Sequence, residues 1–392
     1  MADREVQGAE ANTPEGARDS TSERGRDTTL QRERDVALMR RALELAARGP
    51  LVDPNPRVGA VIIDRDGRVV GEGFHAGAGT PHAEAIALSE AGAGARGGTA
   101  VVTLEPCAHT GRTSPCSQAL VEAGVARVVF AQSDPNPAAA GGAVMLQAAG
   151  IPTTAGILAQ ESTSLNDAWT FSFIHGRPKV TWKFAATLDG RSAAADGSSR
   201  WITGPLARAD VHQLRGRCGA ILVGTGTVIA DDPALTVRGP DGSTTGRQPL
   251  RVVMGLRPIP ETARVRDVDA DTLQLTTHDP AAALTELGQR EIHHVWLEGG
   301  PTVAAAFLAA GLVDEVIAYL APAVLGAGAH ALGDLGIRTM DHALRMTPHE
   351  VSTIGPDIRI RATIASPTFA SATIASPANT TPGTTTPGRE GP

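Results

Sequence analysis

Three cysteines in 392 residues cannot build a disulfide framework, and one would always be left over. A reducing compartment is the simpler expectation. Aromatic side chains make up only 3%, too few for a long base-stacking platform. Excess positive charge is also lacking: the formal net charge is −7, which argues against a general nucleic-acid binder. No apolar run approaches the length that crosses a bilayer. The first 33 residues are polar and charged, without the apolar stretch of a secretory signal. These deficits leave a cytoplasmic protein that is not a general nucleic-acid binder and does not span a membrane.

What is present is ample apolar material, 42% of the chain, enough at about 150 residues per domain for two domains. Residues 1–33 and 363–392 are low in large apolar side chains and read as disordered tails. The hexamer A-T-I-A-S-P occurs at 362–367 and 372–377, too few copies for a repeat architecture. Between the tails, apolar residues at helical spacing begin at Asp35 and stop at Gly49-Pro50. Strands are expected at 58–64, 69–71, 100–104 and 126–131, the first two joined by an Asp66-Gly67 turn. Helices are expected from Thr80-Pro81 to Gly92 and from Ser114-Pro115 to Gly124. This alternation predicts a three-layer α/β domain over 34–177. Gly176 and Pro178 punctuate the junction to a second α/β domain over 178–362. Its expected strands are 180–186, 220–223, 250–254, 272–276, 294–297 and 315–319. Its expected helices are 205–217, 280–289 and 302–310.

The strongest chemical signal is Pro81-His82-Ala83-Glu84 followed by Glu105-Pro106-Cys107 and Pro115-Cys116. One His and two Cys are three ligands that zinc favours, and a fourth position left for water marks a catalytic site. Zinc lowers the pKa of bound water towards neutrality. Glu84, a carboxylate outside the ligand set, is then placed to move protons between water and a leaving amine. With Thr80 and Ser114 as N-caps, His82 and Cys116 would both sit in first helical turns, where the dipole favours a thiolate. The first half matches the H-x-E…P-C-x-x-C signature of zinc deaminases, but eight residues separate the cysteines instead of two. A closed zinc knuckle is the competing interpretation, with His109 as the fourth ligand if the insert folds inward.

That insert, Cys107-Ala108-His109-Thr110-Gly111-Arg112-Thr113-Ser114-Pro115-Cys116, resembles a run in the bifunctional riboflavin-biosynthesis deaminase/reductase family. Three further runs are similar to that family: Pro54-Asn55-Pro56-Arg57, Gly71-Glu72-Gly73-Phe74-His75 and Asp134-Pro135-Asn136-Pro137. The resemblance implies a cytidine-deaminase-like domain whose substrate contacts are Asn55, His75, His109 and Arg112. An amide and imidazoles suit a pyrimidine edge, and Arg112 suits a 5′-phosphate.

The second domain has no G-x-G-x-x-G fingerprint. Trp296-Leu297-Glu298-Gly299-Gly300-Pro301-Thr302 reads instead as a strand, a glycine turn and a helix start, an arrangement that suits a phosphate or merely a tight turn. Three blocks resemble the same family: 183–191, 201–204 and 226–238. The resemblance covers roughly residues 35–361 and implies a dihydrofolate-reductase-like fold that binds NADPH. It places cofactor contacts on Ala185, Trp201, Thr227, Asp231 and the Gly300, Pro301, Thr302, Val303, Ala304, Ala305, Ala306 turn and helix. It places substrate contacts on Ser199, Arg215, Leu235, Arg238 and Glu298, with Lys183 and Asp189 near the reacting carbon. Arg215 and Arg238 suit a phosphate clamp. Gly255-Leu256 stands where a polar residue near the adenosine phosphate is expected. Cys218 reads as a buried core thiol.

The expected activity is zinc-dependent deamination of 2,5-diamino-6-(5-phosphoribosylamino)pyrimidin-4-one, then NADPH-dependent reduction of the ribosyl chain to 5-amino-6-(5-phosphoribitylamino)uracil. The resemblance also implies a homo-oligomer. Two rival readings are a nucleic-acid deaminase with a degenerate appendage and a zinc-stabilised binding module without turnover.

Overall fold

The computed structural model describes residues 19–109 and 115–364, with backbone alone over 19–27. Two sheets organise the chain. The first contains β1 (Gly59–Ile63), β2 (Val69–Phe74), β3 (Thr99–Leu104), β4 (Arg127–Gln132) and β5 (Thr153–Ala155), in the order β2-β1-β3-β4-β5. β1 pairs antiparallel with β2 and β3; β3, β4 and β5 run parallel.

Period-two alternation splits this sheet's side chains between two cores. Ala60, Ile62, Ala100, Val102 and Val128 face α2 (Ala83–Ala91), α3 (Cys116–Ala123) and α4 (Gly142–Ala148). Val61, Ile63, Val101 and Val129 face α1 (Asp19–Ala46) through Met39, Ala42 and Leu45. Three layers result, as the strand–helix alternation predicts. α5 (Ala159–Leu165) and α6 (Asp167–His175) lead out of the sheet. The pair Gly71 and Gly73 lets β2 approach α2 closely, since a Cβ there would lie 2.1 Å from the Ala87 carbonyl and 2.3 Å from that of Ala83.

The start of the ordered chain needs correction. α1 begins at Asp19, inside the stretch expected to be a disordered tail. Residues 28–34 are exposed, so this part of the helix projects past the sheet and needs no apolar stripe. Its Arg, Glu and Gln are good helix formers. Periodicity starts only where the helix meets the sheet, at Asp35, whose buried carboxylate accepts Arg127 Nη1 at 2.9 Å. Residues 1–18 and 365–392 of the expected tails lie outside the described residues.

The second sheet has the order β12-β13-β11-β6-β10-β7-β8-β9. Its strands are β6 (Lys179–Thr187), β7 (Ala220–Gly224), β8 (Leu250–Met254), β9 (Thr272–Leu275), β10 (His294–Leu297), β11 (Glu315–Ala321), β12 (Met346–Ile354) and β13 (Asp357–Ile364). β11, β6, β10, β7, β8 and β9 are mutually parallel, and β12–β13 is an antiparallel hairpin on the edge. The central strands are nearly continuous apolar runs, as expected for parallel strands covered on both faces. Ala220, Leu222, Val252 and Val295 pack against α9 (Pro280–Gln289) and α10 (Pro301–Ala309). Ile221, Val223, Val253 and Trp296 pack against α7 (Pro205–Arg215) and α8 (Thr225–Asp231). Thr363 and Ile364 belong to β13, so the sheet continues past the expected start of the C-terminal tail.

Candidate active sites

Both cavities open beyond the carboxyl ends of parallel strands, where chains leaving neighbouring strands diverge. In the first domain β3 ends at Leu104 and delivers Glu105-Pro106-Cys107. His82 is the N-cap of α2 and Cys116 the first residue of α3. Each cap therefore falls later than expected, at His82 rather than Thr80 and at Pro115 rather than Ser114. The Thr80 hydroxyl instead donates to the Gly77 carbonyl at 2.7 Å.

Three donor atoms converge there. His82 Nδ1 lies 3.2 Å from Cys116 Sγ and 3.8 Å from Cys107 Sγ. A tetrahedral zinc with ordinary bond lengths needs N···S edges of about 3.5 Å, so the donor set fits that ion. Among the described residues these three form the cluster suited to a metal, and His109 is not part of it. The Cys107 thiol is drawn down to about 4 by its hydrogen bond with Cys116, while the Cys116 thiol, left holding the shared proton, is pushed up. Such a pair gives up its remaining proton to a metal.

The cavity above them has a volume of about 570 Å³. Asn55, His75, His82, Glu84, Cys107 and His109 all line it. Glu84 is only 4% exposed, and burial pushes its carboxyl group up. His75 is oriented from both sides: Nδ1 donates to the Pro81 carbonyl at 3.1 Å, and Asn55 Nδ2 donates to Nε2 at the same distance. Arg112 lies outside the described residues.

Two acidic residues of this region, Glu105 and Asp134, stand in quoted sequence runs but received no role there. Burial pushes Asp134 up to about 6, and it lines the cavity. Glu105 accepts backbone N–H groups of Asp134, Gly141 and Ala143, bracing the segment that carries Asp134. Asp134 opens the turn-forming run Asp134-Pro135-Asn136-Pro137 just after β4, and Glu105 directly precedes Pro106-Cys107.

The cavity of the second domain is similar in size, about 570 Å³. Lys183, Ala185, Ser199, Trp201, Arg215, Thr227, Asp231, Leu235, Arg238, Glu298, Gly300 and Pro301 all reach it. Asp189 does not line it; the carboxylate accepts the Gly326 N–H at 2.7 Å and the Thr187 hydroxyl, which hold it down to about 2. Thr302 to Ala306 do not line it either. Ala304 is fully buried in the core below α10, and Val303 fills the space above Gly224 and Gly299. Helix geometry explains this, because beyond the first turn one face of α10 must cover the sheet.

The glycine turn forms a cradle. Gly300 N–H donates to Thr227 Oγ1 at 3.0 Å, and a Cβ on Gly300 would stand 3.1 Å from that hydroxyl. Gly299, Gly300 and Pro301 lie on the cavity wall with no bulky side chain at the turn, and these residues fit a dinucleotide. Cationic neighbours missed from sequence include Arg208, whose guanidinium stacks 4.3 Å over the exposed Trp201 ring, and Arg264 on the cavity wall. Arg257 lies against Gly226, where a Cβ would come within 3.2 Å of its Nη2. It follows the apolar pair Gly255-Leu256 and brings charge to that edge of the sheet. Burial lowers Lys183, whose ammonium lies 5.9 Å from the Tyr319 ring centroid.

Residues 32–132 match the family described as the cytidine and deoxycytidylate deaminase zinc-binding region, and 178–360 match the RibD C-terminal domain. The chain is 50% identical over 307 residues to riboflavin biosynthesis protein RibD of Mycobacterium tuberculosis, a match covering 78% of this chain and 90% of that one. The chain belongs to the RibD family. RibD of Escherichia coli is 44% identical over 355 residues, covering 82% of this chain and 96% of its own. The structure of Acinetobacter baumannii RibD superposes with a TM-score of 0.78 at 41% identity, covering 85% of this chain and 99% of that one. A Thermotoga maritima diaminohydroxyphosphoribosylaminopyrimidine deaminase/5-amino-6-(5-phosphoribosylamino)uracil reductase superposes at 0.76 with 33% identity, covering 86% of this chain and 100% of that one. As a RibD enzyme the chain is a bifunctional deaminase and reductase of riboflavin biosynthesis, with zinc and NADPH as its cofactors.

Proposed function

We propose that the first cavity hydrolyses the exocyclic amine of 2,5-diamino-6-(5-phosphoribosylamino)pyrimidin-4-one and the second reduces the deaminated product to 5-amino-6-(5-phosphoribitylamino)uracil. The observation that carries the first step is a buried, unliganded carboxylate, Glu84, sharing a cavity with the His82, Cys107 and Cys116 donors. Zinc held by those three residues supplies a Lewis acid that lowers the pKa of water. Glu84 takes a proton from the attacking water and delivers it to the departing amine, so that C–NH2 and water become C=O and ammonia. His75, fixed by Pro81, orients the Asn55 amide, whose carbonyl and second N–H read the edge of the ring. His109 and Arg112 take the remaining contacts, with Arg112 on the phosphate.

In the second cavity NADPH supplies the hydride, and Thr227, Asp231, Trp201, Ala185 and the Gly300–Pro301 turn hold it. Lys183, Ser199, Leu235, Arg238 and the Arg215–Glu298 pair shape the opposite wall for the ribosyl phosphate. Support for Lys183 over Asp189 near the reacting carbon is that only the former borders the cavity. The reading includes a cytoplasmic homo-oligomer that binds neither nucleic acid nor membrane. In its favour, the net charge is −7 and no described helix is long and apolar enough to cross a membrane. The deciding experiment uses Glu84→Gln with the full chain. Ammonia release from the diaminopyrimidine phosphate should cease while NADPH is still oxidised on pre-deaminated substrate. Loss of both steps from a folded variant would contradict this division of labour.

A further inference from the structure

The deaminase cavity is not built by the first domain alone. Glu291, on the turn between α9 and β10 of the second domain, lines it beside Trp169, Phe173 and Pro54. The turn is anchored two residues later. His293 Nε2 donates to the Pro54 carbonyl at 3.0 Å, and the Ser172 hydroxyl lies 2.7 Å from His293 Nδ1. Burial holds His293 towards its neutral form, which suits one nitrogen donating and the other accepting. Its ring centroid lies 5.8 Å from that of Phe173, itself a wall residue. Pro54 precedes Asn55, so the anchor and the ring-reading amide belong to one turn. Glu291 has φ +58, a left-handed conformation uncommon for a side chain that is not Gly, Asn or Asp. The chain thus holds an exposed carboxylate at the rim of a cavity belonging to the other domain.

We infer that Glu291 is a substrate-binding residue for the deaminase step, accepting hydrogen bonds from the ribose hydroxyls of the substrate. This rests on the substrate reading proposed above. With the pyrimidine at the metal end of the cavity, the ribosylamino arm runs towards the rim. A carboxylate there is an acceptor only, which suits a diol and repels a phosphate. Its charge therefore also directs the phosphate away from the domain junction, towards the segment that carries His109. The reductase domain in this way selects for a ribosylated pyrimidine at the other active site.

The test compares wild type, Glu291→Gln and Glu291→Gly on the phosphoribosyl substrate and on 2,5,6-triaminopyrimidin-4-one, which lacks the ribose phosphate. Glycine accepts the left-handed backbone, so the second variant keeps the turn. With the phosphoribosyl substrate both variants should raise KM for ammonia release about tenfold, the effect of one charge-assisted hydrogen bond, and leave kcat within about twofold. KM for the unribosylated base and the reductase rate should not change. An unchanged KM for the phosphoribosyl substrate, or an equal loss on both substrates, overturns the inference. Failure of wild type to release ammonia from the phosphoribosyl substrate overturns the substrate reading instead.

Discussion

Arg215 and Glu298 hold each other in a two-pronged ion pair inside the reductase cavity, Nε to Oε1 at 2.7 Å and Nη2 to Oε2 at 2.5 Å. The third prong, Nη1, donates to the Thr236 carbonyl at 3.0 Å. The Trp296 indole N–H adds a further bond to Glu298 at 2.5 Å. The phosphate clamp expected of Arg215 and Arg238 is thereby divided: Arg215 is committed to the wall. Arg238 bonds through Nε to Thr236 Oγ1 at 3.1 Å.

Breaking this pair on one side leaves a charge stranded away from water. Arg215→Met should destabilise the protein by about 3–5 kcal/mol. Adding Glu298→Leu should recover most of that loss, because no buried charge then remains. Urea unfolding of the wild type, both single variants and the double variant measures the coupling. Simple additivity of the two single losses would contradict the pairing.

The same pair sets an acid limit. Burial opposes ionisation of Glu298, but the Arg215 guanidinium outweighs it and holds the group down to about 2, against an ordinary 4.5. A depressed carboxyl contributes its stability above the ordinary value and loses it as pH falls towards the depressed one. The contribution is at most on the order of 3 kcal/mol. The stability difference between wild type and Glu298→Gln should therefore be constant above about pH 5 and shrink between about 4.5 and 2. A difference that stays flat across that window would show that Glu298 titrates normally.

Metal removal should separate the two activities. His82, Cys107 and Cys116 gather in the first domain, whereas the second cavity is lined from other strands. Cys116→Ser should lower zinc content from about one per chain to below about one tenth and stop ammonia release. NADPH oxidation on deaminated substrate should persist. Elemental analysis with paired assays reads both effects, and retained stoichiometric zinc would remove Cys116 from the ligand set.

Thr227 is the acceptor that orients the glycine turn. Thr227→Val keeps the shape but leaves the Gly300 N–H without its partner. NADPH should bind about fivefold to twentyfold more weakly, the cost of one misdirected backbone donor. Titration of the apoenzyme by fluorescence reads the dissociation constant directly. Unchanged affinity would mean that the turn holds its shape without Thr227.

Much of the sheet framework was legible because its signal is local. The edges of β8 and β10 fall where composition places them, since parallel strands covered on both faces need unbroken apolar runs. The hairpin β12–β13 was not found. β12 is largely exposed and contains Pro348, so it lacks a buried face to impose alternation. The upstream turns of α1 were missed for the same reason.

Chemistry was legible where it depends on residue type and close spacing. His82, Cys107 and Cys116, which the fold brings together as a possible metal site, were legible because few side chain types bind zinc and each stands in a short motif. What spacing alone does not set is which distant groups share a wall. Only the folded sheet committed Arg215 to Glu298, turned Asp189 away to cap a turn, and buried Ala304 under α10. Only domain docking brought Glu291 to a cavity whose nearest sequence-identified residue, His109, lies more than 180 positions earlier. The donor set is a property of side chains, which the sequence states outright. The partners of each charge follow from burial and long-range packing, which exist only once both sheets have formed.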